Sequence, residues 1–416
     1  MRDQRQTAAG LLTHRHHFFA EKTIDYRIKK YIIYLYRIIF YIMKGVMGMM
    51  YEELDTPALL IDKRVMMENV AAMQQYADRQ HVKLRPHTKT HKTPALAKLQ
   101  EEKGASGITV AKVGEAEVMA AHGLKDIFIA NQIVGETKLK RIRKLAESIQ
   151  ISFGIDCVEH VKQIEQVFRE SEKKAEVLIE IEVGEGRSGV IEERDFCHIL
   201  EAIQTSDAVH LKGIFSHDGH TYQAESKAHC RTLYKEAVNR TLRFAQIAEE
   251  AGMPLEVVSI GSTPPFLFQF DIPKGVTEIR PGTYILMDAS QSNVIGTYSH
   301  CAASVLTPVI SKPTERRVIT DVGAKGLTAQ TRTKGLTKTE GLGKVKEYDD
   351  VFVSSVFDEH AIIYHEGFRQ SVQIGEKVQM IPNHICPAVN LHEKAYLIQD
   401  GEVVEELEIA CKGKLQ

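Results

Sequence analysis

Val82-Lys83-Leu84-Arg85-Pro86-His87-Thr88-Lys89-Thr90-His91-Lys92-Thr93 sets a short strand pattern directly before a crowd of basic side chains. Pro86 ends the strand, and Arg85 before it is held extended. The basic groups therefore gather at the strand's C-terminal edge, ahead of a helix that starts near Pro94. Three lysines, two histidines and an arginine so close together depress one another's pKa, which favours a neutral, nucleophilic lysine. A solvated basic loop for phosphate or nucleic acid is the bland alternative.

Outward from this stretch the chain keeps one rhythm. Short strands are predicted at Ile108–Ala111, Ile127–Asn131, Ile151–Ile155, Val177–Val183, Leu211–Ser216, Glu256–Ile260 and around Thr277–Ile285. Helical periodicity fills the gaps, as in Glu136–Ser148, Val158–Glu170 and the long Ala224–Ala251. With the basic strand this makes eight strands, and strand-helix alternation implies parallel pairing. The expected fold class is α/β, a (β/α)8 TIM-type barrel. A doubly wound open sheet is the rival, though such sheets usually stop nearer six strands.

Beyond residue 296 the runs are short and β-like, with turns but no good helix between them. The expected division is 1–50, a non-globular extension; 51–64, a strand (Leu59–Ile61) joining the β domain; 65–295, the barrel; and 296–416, a C-terminal all-β domain. Residues 331–348, polar and glycine-rich, read as an exposed loop. In the extension, Tyr31–Met43 is apolar but broken by Arg37, short of a membrane span. It also lacks a signal-peptide pattern, and Met47, Met49 and Met50 offer alternative starts to the chain.

The 416 residues are 26% charged and 43% apolar, with a net charge of −2, an ordinary globular balance. Such a charge gives no electrostatic case for nucleic acid or membrane as a partner. The six cysteines form no Cys-x-x-Cys pair, and free thiols suit a cytoplasmic protein.

Strand ends carry the chemistry of a barrel. Gly184-Glu185-Gly186-Arg187-Ser188-Gly189 would present one guanidinium, or be an ordinary turn. Ser216-His217-Asp218-Gly219-His220-Thr221-Tyr222 offers an acid/base set, although a lone histidine is usually structural. Gly261-Ser262-Thr263 supplies backbone amides and hydroxyls where a phosphate can dock, with a plain turn as the alternative. Arg280 and Tyr284 fall near the same end. In the β domain Asp358-Glu359-His360 stands out, and His384 and Cys386, at i and i+2 on an extended segment, point to one side. An imidazole and a thiolate suit zinc or a similar divalent ion. A buried structural cysteine is the alternative.

Taken in order, Pro86–Lys92, Gly186–Val190, Gly219-His220, Gly261–Pro264, Arg280–Gly282 and His384–Cys386 resemble the D-threonine aldolase and D-serine dehydratase group. These are pyridoxal-phosphate enzymes of the alanine racemase fold, fold type III. The resemblance covers about residues 52–410. It implies that Lys89 holds pyridoxal 5'-phosphate covalently, and that Arg187 faces the pyridine nitrogen. It further implies that Gly261, Ser262 and Thr263 hold the phosphate, helped by Tyr222 or Tyr284, and that His384 and Cys386 bind the metal (Zn, or Mn/Mg). His87, His220 and His360 are candidate substrate or acid/base groups. The implied function is a metal-assisted lyase acting on a D-3-hydroxy amino acid, by dehydration to an oxo acid and ammonia or by cleavage to glycine and acetaldehyde. The His-x-Cys pair is more like the dehydratase branch. A small-molecule D-amino acid is the implied partner, and a homodimer the implied assembly. A racemase or epimerase, or a non-catalytic cofactor carrier, is the alternative; the metal pair argues against the first and the β domain against the second.

Overall fold

The computed structural model describes residues 49–416, so nearly all of the expected extension lies outside the described residues. Strand β1 (Ala58–Asp62) leads into helix α1 (Lys63–Arg79), capped where the Asp62 carboxylate accepts the Val65 amide at 3.0 Å. Eight parallel strands follow: β2 (Lys83–Leu84), β3 (Ile108–Val110), β4 (Asp126–Gln132), β5 (Gln150–Ile155), β6 (Ala175–Ile181), β7 (Val209–Ser216), β8 (Val257–Ile260) and β9 (Glu278–Ile279). They pair in the order β2-β9-β8-β7-β6-β5-β4-β3. A parallel bridge from His87 to Thr109 joins the two ends of that order, so the ring closes as the expected barrel.

Period-2 alternation sorts the barrel side chains. Val177, Ile179 and Ile181 of β6 face outward into the apolar layer shared with the surrounding helices. Leu178 points inward, against Phe128 and Phe215. Those two rings meet edge to face, 5.1 Å apart, which suits their quadrupoles. Beyond them the interior is polar. Arg85 is clamped by Glu278 (2.7 Å) and Asp126 (2.8 Å), Ser259 donates to Glu278, and the Arg280 guanidinium reaches Ser259 (2.5 Å) and the Ser216 carbonyl (2.7 Å). Pairing each buried charge in this way offsets its desolvation.

The last strand is shorter than the sequence pattern implies. Pro281 has no N–H for a ladder, and the chain turns into a 3-10 segment at Thr283–Ile285. Among the described residues the second sheet has nine strands, with β1 lying between β10 (Ala303–Ser311, antiparallel) and β11 (Lys394–Gln399, parallel). Short helices interrupt it at Ala324–Leu327, Glu366–Ser371 and Ile385–Val389, where no helix was expected. One apolar cluster runs from Leu84 and Ile279 of the barrel through α1 to Val305 and Leu397 of the second sheet, so the two sheets share a core. Among the described residues no helix is long and apolar enough to cross a membrane.

Candidate active site

A cavity of about 660 Å³ opens at the C-terminal ends of the barrel strands. It lies where a (β/α)8 fold gathers its loops, and its size suits a small organic ligand. From the sequence-predicted set it brings together His87, Lys89, Arg187, Tyr222, Gly261, Ser262, Thr263, His384 and Cys386. Tyr284, His220 and His360 are not in its wall.

Lys89 sits in a 3-10 turn, Thr88–Thr90, directly after β2. Neighbouring contacts fix that turn: Thr88 Oγ1 donates to the Thr109 carbonyl (3.0 Å), and the His91 ring spans the Thr93 amide (3.1 Å) and Gln100 (3.1 Å). Since His91 Nδ1 faces an N–H, it is the acceptor and Nε2–H the donor. Gln100 in turn donates to the Tyr284 hydroxyl at 2.8 Å, which is why this tyrosine is buried behind the turn and away from the cavity. Burial pushes His91 down to about 4, and it stays neutral.

Of the three lysines in the opening stretch, only Lys89 meets the cavity. Lys92 is buried against Glu115 at 2.5 Å, and Lys83 is exposed. The Lys89 pKa is lowered chiefly by burial, with Arg187 adding to it and Cys386, Glu115 and Glu185 opposing. Crowding by the neighbouring lysines is therefore not the main cause; desolvation is. The product is a free amine donor at the strand end, with no ion-pair partner among the described residues.

Gly261-Ser262-Thr263 leaves β8 as a polar cup. Ser262 Oγ lies 3.3 Å from Thr221 Oγ1, and Tyr222 hydrogen-bonds Thr263. Across from it Gly282 closes on the Lys89 turn: a Cβ there would come within 3.0 Å of Thr90 Oγ1 and 3.1 Å of the His87 carbonyl. Only glycine keeps that approach open.

Three arginines line the cavity, Arg187, Arg280 and Arg332, and the first two differ in their support. Arg187 is half exposed and sits 3.5 Å from both Glu180 and Glu185. Arg280 is buried, its guanidinium carbon 5.2 Å from the Phe215 ring centre, and burial lowers its pKa to about 10. His217, one of the strand-end acid/base candidates, and Arg280, expected near the same end, are also in the cavity wall. His217 Nδ1–H donates to the Gly261 carbonyl (2.5 Å), leaving Nε2 as an acceptor. Burial, followed by Lys89, holds both His87 and His217 well below the usual imidazole range, so neither is a cation at neutral pH. His220 packs its ring on Gly184 instead, and His360 lies on the exposed hairpin turn between Ser355–Val356 and Ala361–Tyr364.

His384 and Cys386 do not share an extended strand. His384 is extended, but Cys386 lies in the first turn of Ile385–Val389. The Ile385 amide is fixed by Asp288 Oδ2 at 3.0 Å, and Pro387 fits a first helical turn, where its missing N–H costs nothing. The side chains still meet, sharing a hydrogen bond. Burial alone would raise the thiol, but His384, Thr90 and Lys89 together lower Cys386. Burial likewise opposes charge on His384, and the Cys386 thiolate outweighs it, so His384 is raised. His384 Nδ1 donates to Gln330 (2.9 Å), leaving Nε2 for the cavity, the orientation a metal-ligating imidazole needs. A further donor set, Asp156, Cys157 and His160, lies within 4.8 Å. It sits at the start of a helix, where the backbone field is positive, and His160 already accepts the Asp156 amide (3.3 Å).

One cavity thus offers a lysine amine whose pKa burial lowers, a polar cup, a buried guanidinium and a hydrogen-bonded histidine-cysteine pair. This donor set fits pyridoxal phosphate beside a soft divalent ion.

Comparison with known proteins agrees. Residues 61–290 match the family described as "Alanine racemase, N-terminal domain", and residues 302–398 match a serine dehydratase domain. The chain is 31% identical to the D-threonine aldolase of Arthrobacter sp over 364 residues, 86% of this chain and 93% of the relative. It is likewise 31% identical to the D-threo-3-hydroxyaspartate dehydratase of Delftia sp. (strain HT23), over 84% of this chain and 96% of the relative. The structure of a cysteine-to-alanine variant of a D-threo-3-hydroxyaspartate dehydratase, described as its metal-free form, superposes with a TM-score of 0.80 at 28% identity, covering 86% of this chain and 98% of that one. With barrel, β domain and site all in place, the chain belongs to the alanine racemase N-terminal domain family, within its D-threonine aldolase and D-serine dehydratase group.

Proposed function

We propose that this protein is a pyridoxal-phosphate-dependent, metal-assisted lyase for a D-3-hydroxy amino acid. One observation carries the reading: the Lys89 amine shares its cavity with a phosphate-sized polar cup and with the His384–Cys386 pair. When bound, pyridoxal phosphate supplies an electron sink next to the amino acid's Cα. A divalent ion at the second site supplies Lewis acidity towards a substrate hydroxyl.

The chain's own residues do the rest. Lys89, its pKa lowered chiefly by burial, is the nucleophile that anchors the cofactor and can hold a proton at Nζ between steps. Ser262, Thr263 and Tyr222 donate to the phosphate, with the hydroxyl network around Thr221 orienting Ser262. Arg280 and Arg187 are the guanidiniums available to the ring. Either keeps a pyridine nitrogen unprotonated, because neither gives up its proton near neutral pH. His87 and His217, uncharged, accept hydrogen bonds without adding positive charge. His384 Nε2 and the Cys386 thiolate are the metal donors, and a thiolate favours zinc over manganese or magnesium.

The histidine-cysteine donor pair supports dehydration over retro-aldol cleavage. The test is to supply pyridoxal phosphate, zinc and D-threonine and identify the products. The expected result is 2-oxobutanoate and ammonia. Glycine with acetaldehyde would replace dehydration by aldol cleavage, and L-allo-threonine, the product of inversion at Cα, would replace lyase by epimerase.

A further inference from the structure

We infer that Arg332 is a receptor for a substrate carboxylate. The inference rests on the lyase reading above and deepens it. Arg332 lies in the segment expected to be an exposed loop, yet that segment is strapped across the barrel mouth. Thr337 Oγ1 donates to the Tyr222 carbonyl (2.7 Å), the Leu336 amide to the Ala224 carbonyl (2.7 Å), and the Thr339 amide to the Arg332 carbonyl (2.9 Å). These bonds fix the Arg332 backbone while its side chain lines the cavity, the guanidinium carbon 5.3 Å from the Tyr222 ring centre.

Two features mark this guanidinium as built for an absent anion. Its Nε is buried without a hydrogen-bond partner, and no carboxylate lies within ion-pair distance among the described residues. The other arginines of the cavity differ: Arg187 is between Glu180 and Glu185, and Arg280 is held by Ser259 and Ser216. A buried unpaired donor is costly. A carboxylate relieves it, and the planar fork of arginine matches a carboxylate with two parallel bonds. The partner can be the α-carboxylate common to all these substrates or a second carboxylate on Cβ, next to the hydroxyl that the metal pair addresses.

The test uses holoenzyme loaded with pyridoxal phosphate and zinc, and compares wild type with Arg332→Ala and Arg332→Lys. Calorimetric titration with D-malate, a hydroxy dicarboxylate without an amino group, reads binding apart from turnover. Arg332→Ala should weaken it by about tenfold or more, and Arg332→Lys should retain part of it. KM is then measured for D-threonine and 3-hydroxy-D-aspartate. An equal rise for both identifies the α-carboxylate, and a rise confined to 3-hydroxy-D-aspartate identifies the Cβ carboxylate; each supports the inference. Failure of wild type to bind D-malate, unchanged binding in Arg332→Ala, or a loss of cofactor absorbance as its main effect would overturn it. Malate binding that depends on Arg332 in a protein with no lyase turnover would leave the receptor standing and remove the lyase reading alone.

Discussion

At the scale of single residues the account turns on Lys89 and Cys386. Replacing Lys89 with Ala removes the only cavity amine, so the reconstituted protein should lose its absorbance band at roughly 400–430 nm. Borohydride treatment followed by peptide mapping should place the pyridoxyl mass on Lys89. Label on Lys92 or Lys83 would contradict the assignment. Replacing Cys386 with Ala should cut bound zinc and turnover together while leaving the cofactor band, because the thiolate is on the metal side of the cavity; full activity without zinc would remove the metal from the mechanism. Lys89 was legible because one strand and one proline place it, whereas Tyr284 was misdirected by the same logic. Its neighbourhood in sequence is right, but Gln100 takes its hydroxyl, and nothing in a residue pattern shows which hydrogen-bond partner wins.

At the scale of elements, the turn that carries Lys89 depends on a neutral His91. Its folded-state pKa, about 4, is depressed below the ordinary 6.5. Above 6.5 both folded and unfolded chains hold it neutral and it contributes no pH dependence. Between 6.5 and 4 the unfolded chain takes up a proton that the folded one refuses, so stability falls as pH falls, by about 2 kcal/mol at pH 5. Urea midpoints should therefore drop more between pH 7.5 and pH 5 for wild type than for His91→Gln; equal drops would show that His91 charges freely in the fold. Asp288 plays a similar part between elements. Its buried carboxylate caps Ala289–Ile295 through the Gln291 amide (2.8 Å) and fixes the Ile385 amide beside Cys386 (3.0 Å). Asp288→Ala strands two buried amides and should cost about 2–4 kcal/mol. Zinc should be lost at lower chelator concentrations as well; a destabilised variant with unchanged zinc affinity would separate the cap from the metal turn.

For the whole molecule, the barrel was legible in the regular alternation of short apolar strand runs with helical periodicity. Polar, glycine-rich segments leave none. Residues 331–348 close over the mouth through the Thr337 hydroxyl on the Tyr222 carbonyl and the Leu336 amide on the Ala224 carbonyl, partners far away in sequence, so composition alone read them as exposed. The short helix at Cys386 was hidden for a related reason, since its start is set by Asp288, far away in sequence. The molecule that results places the proposed cofactor donors on the barrel and the proposed metal donors on a short helix beside the second sheet, with one cavity between them. Neither half should suffice. The most direct measurement is the 2-oxobutanoate and ammonia released from D-threonine by cofactor-loaded protein, first after chelation and then after zinc is returned. The account predicts that release collapses on chelation and recovers with zinc while the cofactor band stays constant. Undiminished release from fully zinc-free protein would contradict it.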